Sequence, residues 1–351
     1  MCSPWPTICD FRSSGRQESC RCAERLPIDP KRCIIMAELA TTPWLHDAAQ
    51  AAQKYEEAAA VATEACAEDT TGQTCYICHG EGDEDEGLVR GCACRGDNGY
   101  AHLSCLVRHA QHAGERALRG AGGPGFVRWH MCGVCEQKYH GVVSCALGWA
   151  CWKTYVGRPE TDPARVIAMG LLGNALHYAG RNEDALTIKE AHLSTLRRLG
   201  ASENNILACQ GNLANTYDLL GRHEEALRIE RDVHAGWLRL YGEEDERTRS
   251  AGYNYAVTLI EEERFEEAKL LLHRAMPVAL RVLGDSSELR LRIRWRYARV
   301  LYKDPAATLE DLREAVTAID DLVSDSRRVV GGAHPLHGSL GRDLLRARAA
   351  L

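Results

Sequence analysis

The residues with the clearest chemistry are eight cysteine and histidine side chains between positions 75 and 135. They form four closely spaced pairs, Cys75-x2-Cys78, Cys92-x-Cys94, His102-x2-Cys105 and Cys132-x2-Cys135. Thiolates and imidazole bind tetrahedral zinc, and two ligands one or two residues apart can reach one ion from a tight turn. Eight ligands fill two four-coordinate sites and leave no open position for water. We therefore expect two structural Zn²⁺ ions and no hydrolysis at the metals.

The order of these ligands, with seven residues before His102, resembles the RING-CH finger of membrane-associated RING-CH ubiquitin ligases. The stretch from Gly91 to Leu106 is similar to the central part of that finger. The resemblance implies a small α+β finger over residues 72–140 whose ligand pairs alternate in a cross-brace. The first and third pairs would then hold one zinc, and the second and fourth pairs the other.

A histone-binding PHD finger has the same order of ligand types and is the main alternative. It has fewer residues before its histidine than the seven found here. Its aromatic residue stands two positions before the seventh ligand, whereas Trp129 stands three positions before Cys132. Both spacings favour the RING-CH interpretation.

The resemblance implies a ubiquitin-protein ligase whose finger binds a ubiquitin-conjugating enzyme in a shallow apolar groove, with no catalytic side chain of its own. Ile77 matches the apolar contact expected there. His109 stands where many family members have tryptophan, and Gly133 where many other RING fingers have proline. Glu136 replaces a basic residue that often bridges ubiquitin and the enzyme, a role that Lys138 could share. His109 and Glu136 therefore keep a second hypothesis open, a non-enzymatic scaffold for protein–protein interaction.

A repeat of about 42 residues organises the C-terminal half, because Leu199, Tyr241 and Leu283 end equivalent segments 42 residues apart. Small residues recur at two positions of each segment, where paired helices would touch. They are Gly173, Ala214, Ala256 and Ala298 in the first helix, and Ala185, Ala226 and Ala268 in the second. This pattern resembles the tetratricopeptide repeat in its kinesin-light-chain-like form.

One helical pair cannot bury its own apolar face, so at least three repeats should stack. We expect an all-α solenoid over residues 160–333, with three clear repeats and a fourth that contains an insertion near Asp304. Residues 334–351 are expected to be a tail or a degenerate cap. The predicted fold class is therefore a small α+β cross-brace double-zinc finger followed by an all-α tetratricopeptide-repeat solenoid.

Solenoids of this family bind a protein or peptide substrate along the concave face of their first helices. The repeat register places six polar residues there, namely Asn174, Asn212, Asn215, Asn254, Arg296 and Arg299. Asparagine both donates to and accepts from an extended peptide backbone, and the arginines would favour an acidic ligand. The alternative is that these residues are ordinary polar surface.

The segment from Leu289 to Tyr297 contains a conflict between two patterns. Arginines at 290, 292, 294 and 296 alternate with apolar residues, and a period of two favours a strand. The register of the preceding repeats places a first helix there. We favour the helix.

Composition excludes several functional classes. A net charge of −6 gives no general attraction to nucleic acid or anionic membrane. Seven of the sixteen cysteines belong to the finger and no secretory signal is visible, so we expect a reducing compartment, the cytosol or nucleus. No stretch reaches the ~20 apolar residues of a transmembrane segment.

The N-terminal part divides into two segments. Residues 1–35 mix cysteine, proline, arginine and serine without periodicity, so we expect disorder. Residues 44–68 are rich in alanine and glutamate, which propagate a helix at little cost. A helix should therefore precede the finger.

Overall fold

The computed structural model describes most of the chain from residue 47 to the C-terminus. The described ranges are 47–82, 86–96, 98–120, 125–285, 287–331 and 334–351. The disorder expected for residues 1–35 lies outside the described residues. Within the described part, a small finger region with few strands precedes a long run of helices.

Helix α1, Ala48–Thr70, is the first described element. Asp47 caps it, since its carboxylate accepts a 2.8 Å hydrogen bond from the second backbone nitrogen of the helix. Alanine and glutamate fill most of its turns. Ala62 and Cys66 lie one turn apart and are buried in the finger core. The helix is therefore an integral part of the finger region.

A short two-stranded antiparallel sheet lies at the centre of the finger. β1, Leu88–Val89, pairs with β2, Ala101–His102, and Leu88 stands opposite His102. Helix α2, Leu103–Leu118, follows β2 directly, and a 3-10 helix spans Gly125–Trp129. Strands of two residues contribute little stability on their own, so the fold here depends on the side chains that link its loops.

Helix α3, Gly141–Tyr155, joins the finger to the helical half. Most of its residues are buried, since Val143 and Leu147 belong to the finger core while Gly148 faces the next helix. A β-carbon on Gly148 would lie 2.4 Å from the β-carbon of Ala175, so only glycine allows this approach. None of the helices in the described part of the chain is both long and apolar enough to cross a membrane.

The following helices form four consecutive pairs and one final helix. Their bounds are α4 Pro163–Tyr178, α5 Asn182–Arg198, α6 Glu203–Leu219, α7 His223–Tyr241, α8 Glu246–Glu261, α9 Phe265–Val282, α10 Glu288–Lys303, α11 Leu309–Val329 and α12 Pro335–Ala350. Each helix packs against the next in the sequence, and successive first helices also touch. This is the solenoid arrangement that the repeats predicted.

Two kinds of boundary alternate along the solenoid. The first helix of every pair begins at a capping side chain that accepts a hydrogen bond from its first turn, and these caps are Asp162, Ser202, Asp245 and Ser287. Within each of the first three pairs, the connection contains a left-handed residue, namely Gly180, Gly221 or Glu263. Glycine adopts this conformation without strain, whereas Glu263 does so at φ +56°.

The small residues lie where helices touch. Ala214, Ala256 and Ala298 of the first helices are fully buried. The equivalent residue of the first pair is Gly173, where a β-carbon would lie 2.9 Å from Cγ of Lys189. Close packing at this position therefore requires a small residue.

The segment with two conflicting patterns forms helix α10. Its period-two pattern arises because the helix is buried on two faces. Ile293 and Val300 pack against the third repeat, whereas Leu291, Trp295 and Ala298 pack against α11 and α12. A strand-like alternation thus results from a helix that lies between two cores.

The C-terminal segment forms a regular helix that closes the solenoid. Leu336, Leu340, Leu344 and Ala347 recur at helical spacing and are buried against α10 and α11. The fourth pair has a connection of five residues, 304–308, instead of the three found in each earlier pair. The insertion near Asp304 therefore lengthens a turn and leaves the helices intact.

Candidate metal centres and peptide groove

The eight predicted ligands lie in two compact groups. The first group is Cys75, Cys78, His102 and Cys105, and the second is Cys92, Cys94, Cys132 and Cys135. In each group, one ligand atom per residue lies within 4.8 Å of all the others. The first and third pairs thus share one site and the second and fourth share the other, which is the cross-brace arrangement.

The distances within the groups fit tetrahedral zinc. An ion with Zn–S bonds of about 2.3 Å separates two sulfurs by about 3.8 Å, and a sulfur from an imidazole nitrogen by about 3.6 Å. Sγ of Cys94 lies 3.8 Å from Sγ of Cys132. Nδ1 of His102 lies 3.3 Å from Sγ of Cys78 and 3.9 Å from Sγ of Cys105. Each group can therefore hold one metal ion.

A backbone contact orients the histidine ligand. Nε2 of His102 lies 2.9 Å from the carbonyl oxygen of Glu81, to which it donates. The proton is thereby fixed on Nε2, and Nδ1 presents its lone pair to the three thiols. The imidazole is thus set in the tautomer that a metal ligand requires.

The two Cys-x2-Cys turns have the same local structure. Sγ of Cys75 accepts from the backbone nitrogen of Ile77, and Sγ of Cys132 from that of Val134, each at 3.4 Å. The residue after the second cysteine of each turn is left-handed, His79 at φ +63° and Glu136 at φ +54°. Backbone donors that point at a sulfur favour the thiolate form, so both turns are prepared for a cation.

Gly99 shapes the second site and was missed in the sequence. It adopts φ +86°, and a β-carbon on it would lie 2.6 Å from Cβ and 2.8 Å from Sγ of Cys94. It would also lie 3.1 Å from Sγ of Cys92. The available signal was a glycine in the short loop between the second and third ligand pairs.

Glu86 is a second residue that supports the finger without being a ligand. Its two carboxylate oxygens accept from the backbone nitrogen and the hydroxyl of Ser104, both at 2.7 Å. Ser104 lies in the first turn of α2, two residues after His102, so the carboxylate caps the helix that begins next to this ligand.

Two of the three residues predicted to contact a conjugating enzyme, His109 and Gly133, lie next to each other. A β-carbon on Gly133 would be 3.6 Å from the ring of His109 and 3.6 Å from the Tyr76 hydroxyl. His109 and Gly133 are exposed, and Ile77, which follows Tyr76, is half-buried against the finger core. Lys138 donates to the Tyr178 hydroxyl at 2.9 Å, so its ammonium is engaged with α4.

The four asparagines line two adjoining recesses on the first helices of the solenoid. The smaller, about 230 Å³, contains Asn174 and Lys189, and we name it the Lys189 recess. The larger, about 330 Å³, contains Asn215, Asn254 and Glu230, and we name it the Glu230 recess. Asn212 lines both. The asparagines therefore share one groove, in which Asn254 donates to Asn215 at 3.0 Å.

The two arginines predicted for the groove, unlike the asparagines, are held by contacts with acidic and aromatic side chains of the fold. Arg299 lies 3.4 Å from a carboxylate oxygen of Glu261 and 3.9 Å from one of Asp343, and its side chain is only 17% exposed. Arg296 donates to the Tyr253 hydroxyl at 3.3 Å and its guanidinium stacks on the adjacent tryptophan ring. The charge of Arg299 is therefore already paired within the fold, and the groove role of both arginines stays a prediction.

The groove instead contains two buried charges that the sequence interpretation missed. Lys189 is 3% exposed and Glu230 is 4% exposed. Burial lowers the pKa of Lys189 to about 8 and raises the pKa of Glu230 to about 7. Both occupy the repeat position that is Leu272 in the third pair. A charged residue at a position where another repeat has leucine was the available signal.

Two segments of the chain match known families. Residues 75–137 match the RING-variant domain, and residues 165–239 match the tetratricopeptide repeat. The first match contains all eight ligands, and the second spans helices α4 to α7 up to residue 239. No curated protein matches the chain.

Several solved structures are similar at low identity. One is a putative kinesin light chain from Podosopora anserina with nearly identical TPR-like repeats, at 17% identity over 65% of this chain and 97% of that chain, with a TM-score of 0.45. Another is BtubC (BKLC) from P. vanneervenii, at 15% identity over 71% and 88% of the two chains, with a TM-score of 0.43. The two family matches, together with the helix pairs and the two ligand groups, identify the chain as a protein that combines a RING-variant domain with tetratricopeptide repeats.

Proposed function

We propose that this chain is a RING-type ubiquitin-protein ligase whose repeats recruit the substrate. The observation that carries the proposal is the complete cross-brace of eight ligands in a segment that matches the RING-variant domain. RING-variant domains are typical of ubiquitin ligases, and tetratricopeptide repeats are typical of protein–protein interaction. The finger would bind a ubiquitin-conjugating enzyme, and the solenoid groove a protein or peptide substrate.

Two Zn²⁺ ions would maintain the finger, one in each ligand group. Each group has four protein ligands, so neither ion would have a free position for a substrate. The zinc would connect loops that have almost no sheet between them. The contribution of the metals is therefore structural.

The finger would act by orientation. A ubiquitin thioester on a conjugating enzyme is flexible, and fixing it in a near-attack geometry lowers the barrier for a substrate lysine without a covalent intermediate on the ligase. Ile77 would supply an apolar contact to the enzyme, beside the surface that contains Tyr76, His109 and Gly133. No residue of this chain needs to be a nucleophile.

The junction between the finger and the solenoid supports this division of roles. α3 packs against both α1 and α4, and Lys138 of the finger donates to Tyr178 of α4. A substrate in the groove would therefore be held at a defined position with respect to the finger, which raises its effective concentration there.

Autoubiquitination across a panel of conjugating enzymes tests the proposal. We expect ubiquitin transfer that needs zinc and is lost in Ile77→Ala. Leu270→Ala is the matched control, because Leu270 is 54% exposed on α9 and outside the finger. Transfer that persists in Ile77→Ala would remove this residue from the enzyme contact.

A non-enzymatic scaffold is the second candidate, and Glu136 favours it. This exposed carboxylate replaces a basic residue, and Lys138, which could have compensated, is engaged with Tyr178. A carboxylate cannot donate hydrogen bonds to ubiquitin. If no conjugating enzyme of the panel supports ubiquitin transfer while the chain is folded and binds two zinc ions, the scaffold is favoured. Activity gained in Glu136→Arg would identify this residue as the cause.

We also propose a reducing compartment, the cytosol or the nucleus. The metal ligands must stay reduced to bind zinc, and the buried cysteines outside the two groups, such as Cys151 and Cys209, are free thiols. The net charge of −6 favours protein partners over nucleic acid. Expression with a fluorescent tag tests the location directly.

A further inference from the structure

The floors of the two adjoining recesses have opposite charges. Lys189 of α5 lines the first and Glu230 of α7 lines the second, and the two residues are 41 positions apart at the same place in successive repeats. Asn212 lines both recesses. A ligand that occupies the groove would therefore meet a cation and an anion in a fixed order.

Lys189 has hydrogen bonds but no counter-charge. Its ammonium donates to the carbonyl oxygen of Asn212 at 2.9 Å and to the hydroxyl of Thr216 at 2.7 Å. An ammonium has three donors, so one is left. No carboxylate of the described residues lines its recess, and His192 there is neutral because burial lowers its pKa to about 4.

Glu230 has one oxygen without a partner. Thr258 contacts its carboxylate, but Oε2 is buried and none of the described residues lies within hydrogen-bonding distance of it. The other charged residue of this recess is Arg247, which is paired with Asp245 at 2.9 Å. The ionisable group that lacks a counter-charge in the Glu230 recess is therefore an acid, which is negative when it ionises.

The fold itself does not require these charges. At the equivalent place in the third repeat, Leu272 replaces the charged residue and Val300 replaces the threonine, and both are buried. An apolar pair thus packs as well in this position. A buried charge without a counter-charge destabilises the fold, so its presence in a groove points to a ligand that supplies the partner.

We propose that the groove binds an extended peptide that carries an acidic side chain over Lys189 and a basic side chain over Glu230. The asparagines would bind the peptide backbone between them, and Asn212 would lie at the midpoint. Lys189 and Glu230 lie on second helices that a first helix separates, and packed helices lie roughly 8–10 Å apart, so the two peptide side chains should stand at least about three residues of extended chain apart. The inference rests on the proposed role of the solenoid as substrate receptor and specifies the substrate class.

The test uses the full chain and short fluorescein-labelled peptides in fluorescence anisotropy. Each peptide has a serine–glycine–leucine background with one glutamate and one lysine, in both orders and at several spacings near the expected one. Matched peptides carry glutamine in place of either charge. We expect the mixed-charge peptide of one order to bind best, and either glutamine replacement to weaken binding roughly tenfold or more.

Variants assign each charge to its recess. Glu230→Gln should abolish the preference for lysine over glutamine in the peptide and keep the preference for glutamate, and Lys189→Gln should do the reverse. Glu224→Gln and Arg228→Gln, which change exposed residues on α7, are the controls. If Glu230→Gln does not fold, the double variant Glu230→Leu, Thr258→Val takes its place. This double variant copies the apolar pair of the third repeat, Leu272 and Val300.

Three results would each overturn the proposal. The charged and uncharged peptides could bind equally well, or no peptide could bind at all. The preference for a charged side chain could also survive in a folded variant that lacks the corresponding groove residue. The assay contains neither conjugating enzyme nor ubiquitin. Failure of ligation and failure of peptide selection are therefore separate results, and either can occur while the other activity is present.

Discussion

Lys189 and Glu230 occupy the same position in successive repeats, and they are a buried base and a buried acid. Each contacts a threonine of the following first helix, Lys189 the hydroxyl of Thr216 at 2.7 Å and Glu230 that of Thr258. Two repeats with the same backbone thus present different chemistry to the groove. Their opposite pKa shifts give the first prediction.

Glu230→Gln should stabilise the chain at high pH. Burial raises the pKa of Glu230 from 4.5 to about 7, so the folded chain keeps a proton that the unfolded chain has already lost. The free energy of unfolding of the native chain therefore falls as pH rises from 4.5 through about 7. We expect the advantage of the variant in urea unfolding to grow by about 2 kcal/mol between about pH 5 and about pH 8.

Lys189→Gln is the comparison for that experiment. Burial lowers the pKa of Lys189 only to about 8, so both folded and unfolded chains hold this proton over most of the same range. The difference between Lys189→Gln and the native chain should stay nearly constant there. Parallel stability curves for Glu230→Gln and the native chain would contradict the assignment of a buried carboxylate.

Cys92→Ser should lower the zinc content from two ions per chain to one or none. Structural zinc contributes about 10–16 kcal/mol of apparent binding free energy in finger peptides, so loss of one ligand can unfold the site. Cys145→Ser is the control, since Cys145 is buried in α3 outside both ligand groups. Atomic emission on the purified chain gives the metal count, and a folded finger without metal would refute the zinc assignment.

Gly99→Ala should release zinc from the second site faster than the native chain does. The new β-carbon would lie 2.8 Å from Sγ of Cys94, closer than packing allows. Gly96→Ala is a matched control, because Gly96 also has a positive φ, +60°, but has no atom within 4 Å of its β-carbon position. Transfer of zinc to a coloured chelator measures the rate. Equal rates in the two variants would show that backbone strain alone is responsible.

Gly148→Ala should loosen the junction between the finger and the solenoid. The added methyl group would meet Ala175 at 2.4 Å, and overpacking of this kind costs typically about 1–3 kcal/mol. Gly157→Ala, at a position with open space around it, is the control. Limited proteolysis should cut Gly148→Ala between α3 and α4 sooner than the control, and the same digestion pattern in both would argue against a tight junction.

The sequence determined the RING-variant resemblance, the repeat length and the fold class, because these depend on local spacing. Two ligands in a tight turn, and small residues every 41 or 42 positions, are properties of the chain before it folds. The helical nature of α10 also followed from repeat register, even though its alternating pattern favoured a strand.

Only the tertiary structure decided which of the predicted groove residues are paired within the fold and which line a recess. Arg299 and Asn215 both fit the repeat register, yet Arg299 is paired with Glu261 and Asp343 while Asn215 lines a recess. Lys189 and Glu230 look like surface charges in the sequence and are buried in the structure. The physical reason is that burial and pairing arise from contacts between repeats, and these join residues that lie far apart in the chain.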